Sequence, residues 1–130
     1  MTPAELKRRI RTFALRCLKL VASFPRGAVG EIIGRQLIKA CTSAAANYNA
    51  TCVARSRADF IAKMGIVHEE LDESVFWVDF AADAGLSQRP LMEPLLGEGT
   101  ELLAIVVTAL KTAKGKTNQD RKTKPPGGGI

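Results

Sequence analysis

Residues 56–84 read SRADFIAKMGIVHEELDESVFWVDFAADA, and this stretch decides the fold because it places apolar side chains on two sides of one helix. Its first face advances by four and three residues, the spacing that stacks side chains along one side of a helix. That face comprises Phe60, Met64, Val67, Leu71, Ser74, Val78 and Ala81. The second face lies roughly opposite, at about 100° of rotation per residue, and comprises Ile66, Phe76, Trp77 and Phe80, interleaved with Glu69 and Glu73. The first face predicts a helix-bundle core, and the second predicts an interface with another copy of the chain.

Three further stretches have helical periodicity. The first starts with the capping sequence Thr2-Pro3-Ala4-Glu5 and continues with the heptad seam Leu6, Ile10, Phe13, Cys17, Leu20 and Phe24. The second, from about Val29 to Ala54, has the seam Ile33, Leu37, Ala40, Ala44, Asn47 and Thr51. The last has the seam Leu95, Leu102, Val106, Ala109 and Ala113. Pro90 and Pro94 leave the start of this last helix open between Ser87 and Glu93.

The chain therefore consists of four amphipathic helices joined by short loops, with no alternating apolar and polar run that would predict a strand. Short loops return each helix beside its predecessor, so we expect an all-α, antiparallel up-down-up-down four-helix bundle. We assign residues 1–114 to the bundle. Residues 115–130 lack apolar periodicity and are rich in lysine, proline and glycine, which predicts a disordered basic tail.

Length and hydropathy favour one domain outside the membrane. A chain of 130 residues with 46% apolar content can bury a sizeable single core. No apolar run is long and uninterrupted enough to span a membrane, and no signal peptide is recognisable at the N terminus. We therefore expect a cytoplasmic protein that makes no membrane contact.

Residues that could carry chemistry are few and scattered. Cys17, Cys41 and Cys52 are an odd number without a close pair, so we expect free thiols. His68 is the single histidine, and the paired Glu-x-x-His motifs of metal-binding bundles are missing. The glycines of residues 27–34 follow no predicted strand and favour loop and close-packing roles over a phosphate-binding loop. The sequence thus predicts no catalytic residue, metal or cofactor, and a protein that is not an enzyme.

The positive charge is unevenly placed along the chain. Residues 1–110 hold 13 basic and 12 acidic groups, whereas residues 111–130 hold six basic and one acidic group. The candidate nucleic-acid-binding residues lie on the first helix and at the start of the basic C-terminal stretch: Lys7, Arg8, Arg11, Lys19, Lys111, Lys114 and Lys116. The acidic patch of the third helix offers a second use for the cations of the first helix, as ion pairs within or between subunits.

A further inference starts from the spacing of residues 36–73. It includes Gln36-Leu37, Lys39-Ala40, Ser43, Asn47, Arg55-Ser56, Asp59-Phe60-Ile61 and Glu70-Leu71. Together with AAANYNATCVARSRADFIAKMGIVHEELDESVFWV and the closing ELLAIVVTALKTAK, this pattern resembles a bacterial family of small four-helix-bundle proteins. The family was first noticed as reading frames inside intervening sequences of 23S ribosomal RNA genes. The similarity covers most of residues 10–114.

The resemblance implies a compact bundle that assembles as a ring of five. A related bundle, the accessory protein of diversity-generating retroelements, is a basic pentamer that engages reverse transcriptase and nucleic acid. Together with such an assembly, the basic first helix and the lysine-rich C-terminal stretch favour a homo-oligomeric adaptor whose partner is RNA, DNA or a nucleic-acid-binding protein. A protein-interaction scaffold that binds no nucleic acid is the alternative, in which the cations serve only solubility.

Overall fold

The predicted four-helix bundle is confirmed. A computed structural model describes residues 1–123, with side chains described to Lys116. Its helices are α1 (Pro3–Ala22), α2 (Ala28–Thr51), α3 (Arg57–Asp83) and α4 (Arg89–Thr123), and no strand occurs in this part of the chain. Each helix contacts the next along the chain, and α4 contacts α1. The four helices thus surround one core, with α1 diagonally opposite α3. No helix in residues 1–123 combines the length and apolar character needed to cross a bilayer.

Local capping fixes the predicted helix ends. Thr2 Oγ1 accepts a hydrogen bond from the Glu5 amide at 3.1 Å, and Glu5 Oε2 accepts one from the Thr2 amide at 3.0 Å. Ser56 Oγ accepts from the Asp59 amide at 3.0 Å in the same way. At the other end of α3, Gly85 has a φ of +74°, a left-handed conformation that glycine tolerates best. The Leu86 amide then donates to the Ala81 carbonyl at 3.0 Å.

The last helix begins within the range that the sequence left open and ends later than predicted. It begins at Arg89, with Pro90 in its first turn and Pro94 inside it, which settles the start that the sequence left open. Helical backbone extends to Thr123, past the boundary predicted at residue 114. Lysine, arginine and glutamine are good helix formers, and a single glycine such as Gly115 costs only about 1 kcal/mol. The rest of the predicted disordered tail, residues 124–130, lies outside the described residues.

The core follows the predicted seams with a few exchanges. The inner face of α3 is buried from Met64 to Ala81, and Phe60 at its start is half-buried. On α2, Asn47 is half-buried and its amide donates to the Ser43 carbonyl at 2.9 Å. Tyr48 was absent from the predicted seam and is buried. On α4, Met92 and Leu110 are buried, whereas the predicted Ala109 and Ala113 are half-buried.

Glycines allow close approach at three points in the bundle. A Cβ atom on Gly30 would lie 2.7 Å from the Pro25 carbonyl oxygen, and one on Gly34 would lie 2.8 Å from a Val21 methyl carbon. These contacts confirm the close-packing role predicted for both residues. Gly99 of α4 is equally confined, because its Cβ would lie 2.7 Å from Val75 Cγ2 and 3.0 Å from Phe13 Cε2.

Gly99→Ala should therefore destabilise the protein relative to Gly65→Ala. A Cβ on Gly65 would meet nothing within 4 Å, so that variant gains only the helix propensity of alanine, up to about 1 kcal/mol. Gly99→Ala gains the same propensity but overpacks the contact with Phe13 and Val75, at a cost of about 1 to 3 kcal/mol. Urea unfolding of both variants measures the difference. Equal stability of the two variants would contradict the close packing.

Candidate interaction surfaces

The second face of α3 points away from the core. Ile66, Phe76 and Phe80 are 42%, 53% and 43% exposed, and Trp77 is half-buried. The three aromatic rings contact one another, with centroids 4.9 to 5.8 Å apart, a range in which aromatic pairs attract. We call Ile66, Phe76, Trp77 and Phe80 the aromatic face. Their assignment to a subunit interface remains a prediction that fits their exposure.

Acidic side chains surround the aromatic face, and those near the middle of α3 are the ones without ion pairs. Asp59 pairs with Lys63 at 2.9 Å near the start of α3. At its other end, Arg89 binds both Asp79 and Asp83, at 2.8 and 2.7 Å. The remaining acids form no ion pair with a described residue: Glu69, Glu70, Asp72 and Glu73. The middle of α3 therefore carries four acidic side chains whose charges no described cation neutralises by an ion pair.

The pKa of Glu70 lies above its ordinary value in this cluster. Partial burial raises its pKa, the nearby Glu73 and Glu69 carboxylates raise it further, and Lys39 opposes them. Glu73 also accepts a hydrogen bond from Trp77 Nε1 at 3.4 Å, which ties the acidic cluster to the aromatic face. A cation brought to this surface would relieve the repulsion between the carboxylates.

The basic residues of α1 other than Arg16 divide into three groups by the direction in which they point. Arg9 points toward α4, where its Nε donates to Glu98 at 3.1 Å and its guanidinium also reaches Glu101 at 3.3 Å. Lys7 and Arg11 line a groove between α1 and α2. Arg8 and Lys19 are exposed on the outer side of the helix. Apart from Arg9, none of these cations pairs with a described carboxylate.

The candidate cations of α4 come to the same end of the bundle as the start of α1. Met1, Tyr48, Phe60 and Ala109 line one cavity of about 530 Å³, so the α1 start, the α2 end and the α3 start meet α4 near residue 109. Lys111, Lys114 and Lys116 follow on α4 and are exposed. Five of the seven predicted nucleic-acid-binding residues thus lie on helix segments at this end: Lys7, Arg8, Lys111, Lys114 and Lys116. Arg11 lies near the middle of α1. Lys19 lies toward the other end of α1.

The groove between α1 and α2 was missed by the sequence analysis. It is a recess of about 380 Å³ lined by Lys7, Arg11, Ala14, Leu15, Leu18, Thr42, Ala45, Ala46 and Asn49. We call it the α1–α2 groove. Leu15 is 57% exposed, although it is a large apolar residue in a helix otherwise rich in surface cations. The available sequence signal was Leu15 itself, a large apolar residue that lies outside the predicted α1 seam and four residues after Arg11.

The three cysteines are free thiols, and nothing described forms a metal cluster. Cys17 and Cys41 are buried and Cys52 is exposed, all as free thiols. A hydrogen bond with Cys41, together with burial, raises the pKa of Cys17, so that thiol stays protonated. Within the described residues, no group of three histidine, cysteine or acidic side chains could hold a metal ion. The expectation of no metal at His68 remains a prediction.

Comparison with known proteins agrees with the fold. A solved structure from Bacteroides thetaiotaomicron VPI-5482, a protein of unknown function from the S23 ribosomal protein family, matches with a TM-score of 0.75. The two share 26% identity, and the match covers 85% of this chain and 99% of that chain. This chain is similar to an S23-family protein. No family model and no curated protein matches the chain. The resemblance inferred from the sequence is therefore supported at the level of an S23-type bundle.

The Arg9–Glu98 pair yields a pH-dependent prediction. Hydrogen bonds from Arg9 lower the pKa of Glu98, against the opposing effect of partial burial. A depressed carboxyl pKa stabilises the fold above the unfolded-state pKa, and this contribution is lost as the pH falls through the folded-state pKa. Glu98→Gln should thus reduce the free energy of unfolding by about 0.2 to 1 kcal/mol near neutral pH, and the reduction should fade in acid.

Glu93→Gln is the matched control for urea unfolding across pH. Glu93 is an exposed acid on the same helix and pairs with no described cation. Its replacement should leave the pH profile close to that of the wild type. A Glu98→Gln deficit that persisted unchanged in acid would rule out the ion pair as its source.

Proposed function

We propose that this protein is a cytoplasmic, non-enzymatic adaptor that assembles with itself, as a pentamer, and binds nucleic acid or a ribonucleoprotein through its basic surface. Membership in the family of 23S ribosomal RNA intervening sequences is part of the same proposal. The similar S23-family structure is itself of unknown function. The proposal therefore rests on the surfaces of this chain.

The observation that carries the proposal is that five exposed cations lie on helix segments at one end of the bundle. Lys7 and Arg8 lie near the start of α1, and Lys111, Lys114 and Lys116 lie on α4 beyond its contact with that start; none of the five pairs with a described carboxylate. Exposed, unpaired cations at one place create a positive potential that attracts phosphates without reading base sequence. The arrangement supports binding to RNA or DNA with poor sequence preference.

Self-assembly is supported by the aromatic face. Phe76 and Phe80 are about half exposed although they contact each other and Trp77. Fully burying one side chain of this size is worth about 1.5 to 3 kcal/mol, and monomeric proteins seldom leave such contiguous apolar patches in water. Several aromatic side chains per subunit, repeated around a closed ring, would hold an oligomer together.

Trp77→Glu and Phe76→Glu should each give smaller particles than the wild type. A carboxylate on the aromatic face would have to be buried without a partner, which costs more than the interface can supply. Light scattering should fall toward the mass of one 14.0 kDa chain, while circular dichroism should show the same helix content. Leu91→Glu is the matched control, because Leu91 is 72% exposed and lies outside the aromatic face. A wild-type protein that is monomeric at tens of micromolar would end the assembly half of the proposal.

Binding to mixed-sequence RNA and DNA should weaken steeply with salt. Each neutralised phosphate contributes a slope of roughly 0.7 to 0.9 in the dependence of log affinity on log salt, and contacts from several subunits add together. Deleting residues 115–130, which include Lys116, Arg121, Lys122 and Lys124, should lower that slope and leave assembly intact. The last buried residue up to Lys116 is Leu110, so the deletion spares the core.

Deletion of residues 125–130, PPGGGI, is the matched control because it removes no charged side chain. Its salt slope should equal that of the full chain. If the intact assembly binds neither RNA nor DNA at low salt, the adaptor proposal gives way to the protein-interaction scaffold.

A further inference from the structure

The aromatic face and the α1–α2 groove are two unpartnered apolar surfaces on different sides of one molecule. The aromatic face projects from α3, which lies diagonally opposite α1. The groove opens between α1 and α2, with Leu15 57% exposed and Leu18 half-buried. Neither surface is covered by another described part of the chain. A surface of each kind on every copy permits a head-to-tail contact.

The groove is lined in part by small side chains, whereas the aromatic face carries bulky ones. Ala45 and Ala46 of α2 help to line the groove, which is a recess of about 380 Å³. Small side chains let bulky ones from another helix approach closely, as knobs enter holes in packed bundles. The aromatic face supplies such knobs in Phe76, Trp77 and Phe80, which form one cluster.

The two surfaces carry charges of opposite sign at the same spacing. Lys7 and Arg11 line the groove four residues apart on α1. Glu69 and Glu73 are interleaved with the aromatic face, also four residues apart on α3. Side chains at this spacing lie about 5 to 6 Å apart on a helix, so two ion pairs can form at once between two neighbouring helices. None of the four forms an ion pair with a described residue of its own chain.

We infer that the aromatic face of one copy docks into the α1–α2 groove of the next copy, with Lys7 and Arg11 facing Glu69 and Glu73. The inference rests on the proposed self-assembly and names the surface that receives the aromatic face. Such a contact is heterologous, so each copy uses both of its surfaces and the series ends when a ring closes. Lys7 and Arg11 then serve the interface, which leaves Arg8, Lys111, Lys114 and Lys116 for phosphates at the basic end.

Charge reversal tests the contact. Lys7→Glu/Arg11→Glu and Glu69→Lys/Glu73→Lys should each weaken assembly on the order of a hundredfold, because like charges then face each other. The quadruple variant that carries both pairs of substitutions should reassemble, because opposite charges then face each other again. Arg8→Glu/Lys19→Glu is the matched control: it changes the charge equally on the outer side of α1 and should stay assembled. Analytical ultracentrifugation measures assembly, and circular dichroism verifies folding of each variant.

A mixing experiment reads the contact directly. Trp77→Glu protein keeps an intact groove, and Lys7→Glu/Arg11→Glu protein keeps an intact aromatic face. Mixing these two should give a one-to-one pair of about twice 14.0 kDa that cannot grow, because only one contact remains. If the aromatic face instead bound its own kind, the groove variant would stay assembled and the inference would be overturned.

The remaining outcomes separate this inference from the proposed function. A wild-type monomer removes both together. An assembled groove variant that has lost nucleic-acid binding would mean that phosphates, rather than a second copy, occupy the groove. A quadruple variant that folds but stays monomeric would overturn the pairing of these four residues while leaving self-assembly through another surface standing.

Discussion

The structure depends on burial of the inner face of α3. Met64, Val67, Leu71 and Val78 are each 1% exposed or less, and each is worth about 1.5 to 3 kcal/mol once removed from water. This burial fixes the rotation of α3 about its own axis. Because the helix has apolar residues on two sides, fixing one side inward sets the aromatic face outward. The exposed aromatic cluster is thus a geometric consequence of the core and cannot be buried within one chain without unpacking it.

Most of the fold could be predicted because it depends on local rules. The four-and-three periodicity identified the buried seams, and the polar residues Thr2 and Ser56 marked two helix starts. The exceptions arise where tertiary contact decides. Gly99 is confined by Phe13 and Val75 of two other helices, which no spacing within α4 can reveal. Composition could not predict the extension of α4 to Thr123, because a lysine-rich sequence suits both a helix and a disordered tail.

The candidate surfaces were predictable in proportion to how much of each lies on one helix. The aromatic face belongs to α3 alone, so helical rotation placed it correctly opposite the core. The α1–α2 groove is shared between two helices, and its alanines have no signal until α1 and α2 are brought together. That the α4 lysines lie at the same end of the bundle as the start of α1 likewise follows only once the up-down-up-down topology is known. The assignment of cations to separate roles required their directions, which a charge count does not contain.

Those directions bear on how one bundle can serve two kinds of partner. Both surfaces of the inferred contact lie along the sides of the bundle, whereas the gathered cations lie near one end of it. Copies joined side to side around a rotation axis carry equivalent ends on the same side of the ring. In the proposed ring, each subunit would repeat Arg8 and the lysines of α4 on that side, and these cations would not compete for the groove. The modest net charge of one chain would then be repeated as a circle of cations. A flexible nucleic-acid strand could contact several of these cations at once through its phosphates. In the proposed adaptor, assembly through the sides would therefore join the basic ends of several bundles into one surface for nucleic acid.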